Sequence, residues 1–288
     1  MAGASADRGE PLSAEDREIL ALETETVAGH TCKVIVLEDR IEADALRASL
    51  ASRLDQTPQM CQRLTEVDGE LRWVPVPDLD LDAHVVSIEA DHPPNAAEFR
   101  ETVARIFEQR LDRSRPLWSI DVIPELAWGG SALIWRVHHA LADGFAWTQM
   151  AKRALWDEGP AGARNASRKH SSAAKPPERK GRRPLSALRA ALREAPQPWR
   201  RSPFSGRIDV DREVAFASVE LEGLREVART ADGATLNDAI LAIVAGALHR
   251  WLKRRRGHFG AVRVKVPVSL HIPREAADPS AQQTPKER

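Results

Sequence analysis

Several absences narrow what this chain can be. Its 288 residues contain two cysteines, Cys32 and Cys61, and neither belongs to a C-x-x-C or similar ligand spacing. A cysteine-rich scaffold and a cysteine-built zinc site are therefore excluded. A single Cys32–Cys61 disulfide stays open, but a reduced cytosolic pair is the expected state. Net charge is also missing: 42 Lys and Arg balance 42 Asp and Glu, so bulk charge recruits neither nucleic acid nor a membrane. The segment from Met1 to Pro11 is small, polar and charged, without the apolar stretch of a signal peptide. The most apolar run, Ala239 to Leu248, falls far short of the roughly 18 residues needed to cross a bilayer. The expectation is a cytoplasmic protein whose membrane contact, if any, is peripheral, on the inner face of the plasma membrane. No G-x-S-x-G elbow occurs and no Ser or Cys nucleophile is evident, so a covalent acyl-enzyme is not indicated.

What is present is ordinary in bulk. Hydrophobic residues make up 42% and charged residues 29%, which is normal for a globular protein with a buried core. The length is large for one domain and small for two full ones. Along the chain, Ser13-Ala-Glu-Asp16 reads as a helix start. Cys32 to Leu37 reads as a strand, and Ala43 to Leu54 as a helix with Leu46, Leu50 and Leu54 on one face. Leu64 to Val74 reads as a hairpin turning at Asp68-Gly69. Val85 to Ile88, Trp118 to Ile123 and Ala132 to Val137 have strand character, while Ala96 to Leu111 and Gly144 to Trp156 have helical character. This alternation predicts a layered α/β sheet with covering helices.

Composition shifts at Glu158. From there to Arg207 the chain is rich in Arg, Lys, Pro, Ser and Ala and reads as a basic linker. Leu185, Leu188 and Leu192 share one helical face within it, which fits either a transient turn or a basic helix touching anionic lipid. Globular sequence resumes with a strand expected over Val214 to Val219 and helices over Leu221 to Thr230 and Leu236 to Leu252. A further strand is expected over Val262 to Leu270, then a polar tail from 274. The predicted organisation is a first domain over 1–157, a linker over 158–207, part of a second domain over 208–273, and the tail over 274–288.

The chemistry concentrates in Leu133-Ile-Trp-Arg-Val-His-His-Ala-Leu-Ala-Asp-Gly144. A strand ends at two adjacent histidines, and a turn with Asp143-Gly144 leads into a helix. Neighbouring strand side chains point to opposite faces, so His138 and His139 cannot both enter one pocket. One can be held by packing while the other faces a channel. A neutral imidazole suits removal of a hydroxyl proton, because imidazoles titrate near working pH. Asp143 would fix the loop and orient His139. Gly144 would allow a sharp turn and a close approach to the reacting groups. Two ordinary histidines at a strand end remain the plainer reading. A metal held by His138, His139 and Asp143 is disfavoured, because adjacent strand histidines diverge and no further ligands cluster. Trp135 and Trp147 read as core.

The His-His-x-x-x-Asp-Gly pattern resembles that of the bacterial wax ester synthase/diacylglycerol acyltransferase family, which shares it with chloramphenicol acetyltransferase-like enzymes. Four companions carry the resemblance across residues 12 to 273: Asp80-Leu-Asp-Ala-His84, Leu111-Asp-Arg-Ser-Arg-Pro-Leu-Trp118, Leu236-Asn-Asp-Ala-Ile-Leu-Ala242 and Val266-Pro-Val-Ser-Leu270. The resemblance implies an α/β, chloramphenicol acetyltransferase-like two-domain sandwich with its first domain complete. The substrates it implies are acyl-CoA and a lipid alcohol, with His139 as base and no separate cofactor. It also implies substrate-binding roles for Pro116, Leu117, Trp118, Asn237 and Asp238; as plainer alternatives, Trp118 is a core residue and Asn237 and Asp238 polarise a helix start. Two departures stand out. Ser269-Leu270-His271 replaces the family's Ser-Leu-Arg, and family members continue well beyond this point. A C-terminally truncated second domain, prone to self-association, follows as an expectation. Either a lipid O-acyltransferase or an inactive remnant that binds lipid or a partner would fit.

Overall fold

The computed structural model describes residues 9–156, 204, 206–231 and 234–256. The expected basic linker and its Leu185-Leu188-Leu192 face lie outside the described residues. So do the strand at Val262 to Leu270, the Ser269-Leu270-His271 departure and the polar tail. The described residues fall into two compact units, one formed by 9–156 with 206–218 and the other by 219–256 with 204.

The first unit is built on a four-stranded mixed sheet. In chain order its elements are β1 (Glu10–Pro11), α1 (Ala14–Ala21), β2 (His30–Leu37), α2 (Ala43–Ala51), β3 (Gln62–Val67), β4 (Glu70–Pro75), β5 (Val85–Ser87), α3 (Ala96–Glu108), β6 (Trp118–Ile123), β7 (Ser131–His138) and α4 (Gly144–Leu155). The main sheet has the order β2-β7-β6-β5, and a small sheet has the order β1-β4-β3. β7 is antiparallel to both neighbours, whereas β5 runs parallel to β6. A parallel pair cannot be closed by a tight turn, and α3 makes the crossover between β5 and β6.

Strand β7 lies between β2 and β6, and all eight of its residues are buried. Its alternation divides the core. Leu133, Trp135 and Val137 pack with Leu46 and Leu50 of α2 and with Met150, Ala151 and Ala154 of α4. Ala132 and Ile134 point the other way, onto Phe99, Val103 and Ile106 of α3. Each buried side chain of this size contributes about 1.5–3 kcal/mol, so two covered faces rather than hydrogen bonds alone hold β7 in place. Helix α3 starts cleanly because Asn95 accepts from the backbone N–H groups of Ala97 and Glu98, while Glu98 returns a bond to Asn95. The β3–β4 hairpin turns where expected, with positive φ at both Asp68 and Gly69.

Two expectations need correction. Helix α2 stops at Ala51, and a short 3₁₀ turn over Leu54–Gln56 takes up the last of its apolar face. The strand expected over Val214 to Val219 joins no sheet. This segment is held to the first unit by side chains instead. The Arg212 backbone N–H donates to the Glu108 carboxylate and its guanidinium to the Thr26 carbonyl, Val214 joins the α3 core, and Phe216 lies 5.7 Å from Phe99. Its β-branched pattern reflects packing rather than ladder formation.

In the second unit, α5 (Leu221–Arg229) and α6 (Leu236–Arg256) pack through Leu224, Ala228 and Ala239. Both cysteines are free thiols. Among the described residues no helix is long and apolar enough to cross a membrane.

Candidate active site

The site is organised by the end of β7. His138 is the last ladder residue and pairs with His30 of β2. One residue further, the His139 N–H donates to the Gly29 carbonyl at 2.8 Å. The chain then turns, with the N–H groups of Leu141 and Ala142 both donating to the His138 carbonyl, before α4 begins. The two rings separate as the strand geometry requires. His138 is 2% exposed and faces the α3 side, whereas His139 is exposed.

The surroundings of His138 are polar and sealed. Its Nδ1 accepts the Ala140 N–H at 3.1 Å, which places the proton of the neutral ring on Nε2. Nε2 lies 3.2 Å from Glu23 Oε1. The N–H does not align with that oxygen, so this is a close electrostatic contact and not a formed hydrogen bond. Burial, reinforced by the Arg113 guanidinium, pushes the His138 imidazole down to about 4. His30 is likewise pushed down to about 4, mainly by burial, and its Nε2–H donates to the Phe107 carbonyl at 3.0 Å. Both rings are therefore neutral supports. On the same face, the Arg136 guanidinium bonds Asp121 at 3.1 Å, Ser119 at 3.1 Å and the Gln109 carbonyl at 2.9 Å. Burial pushes the Asp121 carboxyl up, and Arg136 opposes that shift.

Asp143 does fix the loop. Its carboxylate caps α4 by accepting the Ala146 N–H at 2.7 Å. Orientation of His139 by Asp143 is not what the structure shows: no hydrogen bond joins the two among the described residues, and the carboxylate is committed to the helix. Gly144 also needs correction. It is the first residue of α4, has no positive φ, and an added Cβ would meet nothing within 4 Å. The close approach belongs instead to Gly29, where a Cβ would fall 2.4 Å from His138 Nε2.

Pro116, Leu117 and Trp118 are all buried. Trp118 donates its indole N–H to the Met60 carbonyl at 2.8 Å and stacks on His84 at 4.4 Å, while His84 donates Nδ1–H to the Trp118 carbonyl at 2.8 Å. Leu117 and Trp118 thus pack in the core, and Trp118 ties the β5–β6 end to the segment before β3. Pro116 lines a shallow surface cleft with Arg63, His84 and Arg115. Asp238 closes a capping box with Thr235 at the start of α6, accepting the Thr235 N–H at 2.8 Å, and Asn237 is exposed beside it. Both belong to the second unit. Trp135 is fully buried and Trp147 partly buried against it, as core residues.

Sequence reasoning missed Glu23, Gly29, His30 and the Asp121–Arg136 pair. The alternation of β7 could have placed Arg136 and His138 on one face, but nothing in the local sequence announces Glu23 as their neighbour. Among the described residues, no group of three or more His, Cys, Asp or Glu could hold a metal ion.

The chain matches the family model of the wax ester synthase/diacylglycerol acyltransferase catalytic domain over residues 12–194. A Mycobacterium tuberculosis protein named as a diacylglycerol O-acyltransferase is 32% identical over 307 residues, covering 90% of this chain and 59% of the relative. A second protein of that organism, similarly named, is 32% identical over 253 residues, covering 79% of this chain and 54% of its own length. Among solved structures, the wax ester synthase/diacylglycerol acyltransferase from Marinobacter aquaeolei VT8 superposes with a TM-score of 0.59 at 24% identity, covering 85% of this chain and 61% of that one. The fold is thus the α/β fold of that structure. The chain belongs to the wax ester synthase/diacylglycerol acyltransferase family, and it spans somewhat under two thirds of the length of these relatives.

Proposed function

We propose that this protein is an O-acyltransferase that moves a long-chain acyl group from acyl-CoA to diacylglycerol or a fatty alcohol. The observation that carries the reading is the inequality of the two histidines. His139 is exposed at the end of a rigid buried strand, while its neighbour is sealed. In the proposed reaction His139 Nε2 or Nδ1 takes the proton of the acceptor hydroxyl as its oxygen attacks the thioester carbonyl. The tetrahedral oxyanion collapses, the C–S bond breaks, and the imidazolium returns its proton to the CoA sulfur. A groove of about 410 Å³ on α4, lined by Trp147, Thr148, Ala151, Lys152 and Trp156, offers apolar surface suited to an acyl chain. The membership of the family and the names of its relatives support the substrate class. Purified chain given long-chain acyl-CoA, with diacylglycerol and hexadecanol offered in parallel, should release CoA in an acceptor-dependent way. Release that ignores both alcohols would contradict the proposal.

One observation favours a second reading, a chain that associates through uncovered apolar surface. Helix α6 exposes Ile240, Ile243, Val244 and Trp251, each at least 42% accessible. Such a face suits lipid, a protein partner or a second copy. Concentration-dependent sedimentation that vanishes on Ile243→Lys would support that reading.

A further inference from the structure

Glu23 stands behind both anchors of His139. Its side chain is only 8% exposed. One oxygen accepts the Gly29 N–H at 2.9 Å, and the same oxygen lies 3.2 Å from His138 Nε2. Arg113 and Arg110 hold the carboxylate from the outer side, Arg110 at 3.4 Å. From these two contacts the chain of support runs forward. The Gly29 carbonyl receives the His139 N–H at 2.8 Å, and His138 Nδ1 receives the Ala140 N–H at 3.1 Å. The backbone of His139 is thus gripped on its N–H and on the peptide that follows it. Both grips lead back to one carboxylate. The space is closed as well, since even a methyl group at Gly29 would collide with the His138 ring.

We infer that Glu23 is a positioning residue for His139, setting the base's backbone through Gly29 and through the placement of His138. This inference rests on the reading of His139 as the base. The contact pattern explains why a polar cluster is kept under an otherwise apolar sheet end: it holds a loop residue as firmly as a strand residue. Displacement of a reacting group by about 1 Å can cost on the order of 10²-fold in rate.

The test uses the full chain labelled with ¹⁵N-histidine. In the parent protein His138 should show a protonated Nε2 and an unprotonated Nδ1. Glu23→Ala should shift or broaden the ring signals of His139, although Glu23 does not touch that ring. It should also lower kcat for acyl transfer by about 10- to 100-fold while leaving KM for acyl-CoA within about twofold. Glu23→Gln, which keeps an acceptor oxygen, should restore the His139 signals and most of kcat. If Glu23→Ala does not fold, Glu23→Asp, which withdraws the carboxylate by one methylene, is read by the same two measures. Unchanged His139 signals, or a Gln variant no better than the Ala or Asp variant, would overturn the inference. If the parent chain shows no acyl transfer at all, the reading of function fails, while the histidine signals still decide whether Glu23 positions His139.

Discussion

The two faces of β7 differ in kind. Toward α2 and α4 the strand presents Leu133, Trp135 and Val137, an apolar core that ends in an exposed histidine. Toward α3 it presents Arg136 and His138, buried polar groups surrounded by Asp121, His30 and Glu23. The greasy face thus ends in the open, reactive-type group, and the face carrying charge is closed. The difference teaches that the polar cluster is scaffold. Buried ionisable groups tied to several neighbours hold geometry, and a group meant to exchange protons with a substrate must be reachable.

The largest effect should come from the open side. His139→Ala should lower turnover by about 10²–10⁴-fold with little change in melting temperature, in the range of a lost general base. His138→Ala should instead lower the melting temperature and act on turnover through packing. Steady-state kinetics beside thermal melts separate the two, and equal small losses in both variants would erase the contrast. Next comes the closed side. Asp121→Ala strands the Arg136 guanidinium, and breaking a buried pair of this kind costs about 3–5 kcal/mol, measurable by urea unfolding.

Acid should break the closed side selectively. His138 and His30 are held neutral down to about 4 in the folded chain, whereas an unfolded histidine titrates near 6.5. Below about 6.5 the unfolded chain therefore binds more protons than the folded one. Stability is full above that pH and falls as pH drops from 6.5 toward 4, by roughly 2–3 kcal/mol per ring. His84, also lowered by burial, adds in the same direction. Urea midpoints measured across this window should decline, and His30→Phe should flatten the decline. The smallest effect concerns the turn. Asp143→Ala should cost about 1 kcal/mol through loss of the α4 cap, while Asp143→Asn, an equally good cap, should stay near the parent in the same unfolding assay.

Much of this contrast was legible in the sequence, because it follows from period. The runs at Trp118 to Ile123 and Ala132 to Val137 alternate too little to be half-exposed strands, and both lie inside the sheet. Adjacent strand histidines had to diverge, and they do. What sequence could not supply was long-range pairing. Glu23 follows α1 as one acid among several, and only the fold brings it against His138. Val214 to Val219 looked like a strand because β-branched and aromatic residues suit any half-buried extended segment, including one held by side chains alone. The Pro116-Leu117-Trp118 motif was legible as important, with Trp118 as a core candidate, but its partners were not, since a Trp indole N–H paired with a backbone carbonyl leaves no mark in the sequence. Gly144 drew attention by its place in the motif, whereas the glycine with no room for a side chain is Gly29, one residue before β2.

The central claim, an open His139 beside a sealed His138, is tested most directly by diethyl pyrocarbonate labelling of the native chain. Fragmentation mass spectrometry resolves the two neighbours on one peptide. His139 should be carbethoxylated rapidly, in step with loss of acyl transfer, and long-chain acyl-CoA should slow the reaction. His138 should react only once the chain is unfolded. Equal labelling of both rings in the native protein, or preferential labelling of His138, would contradict the account.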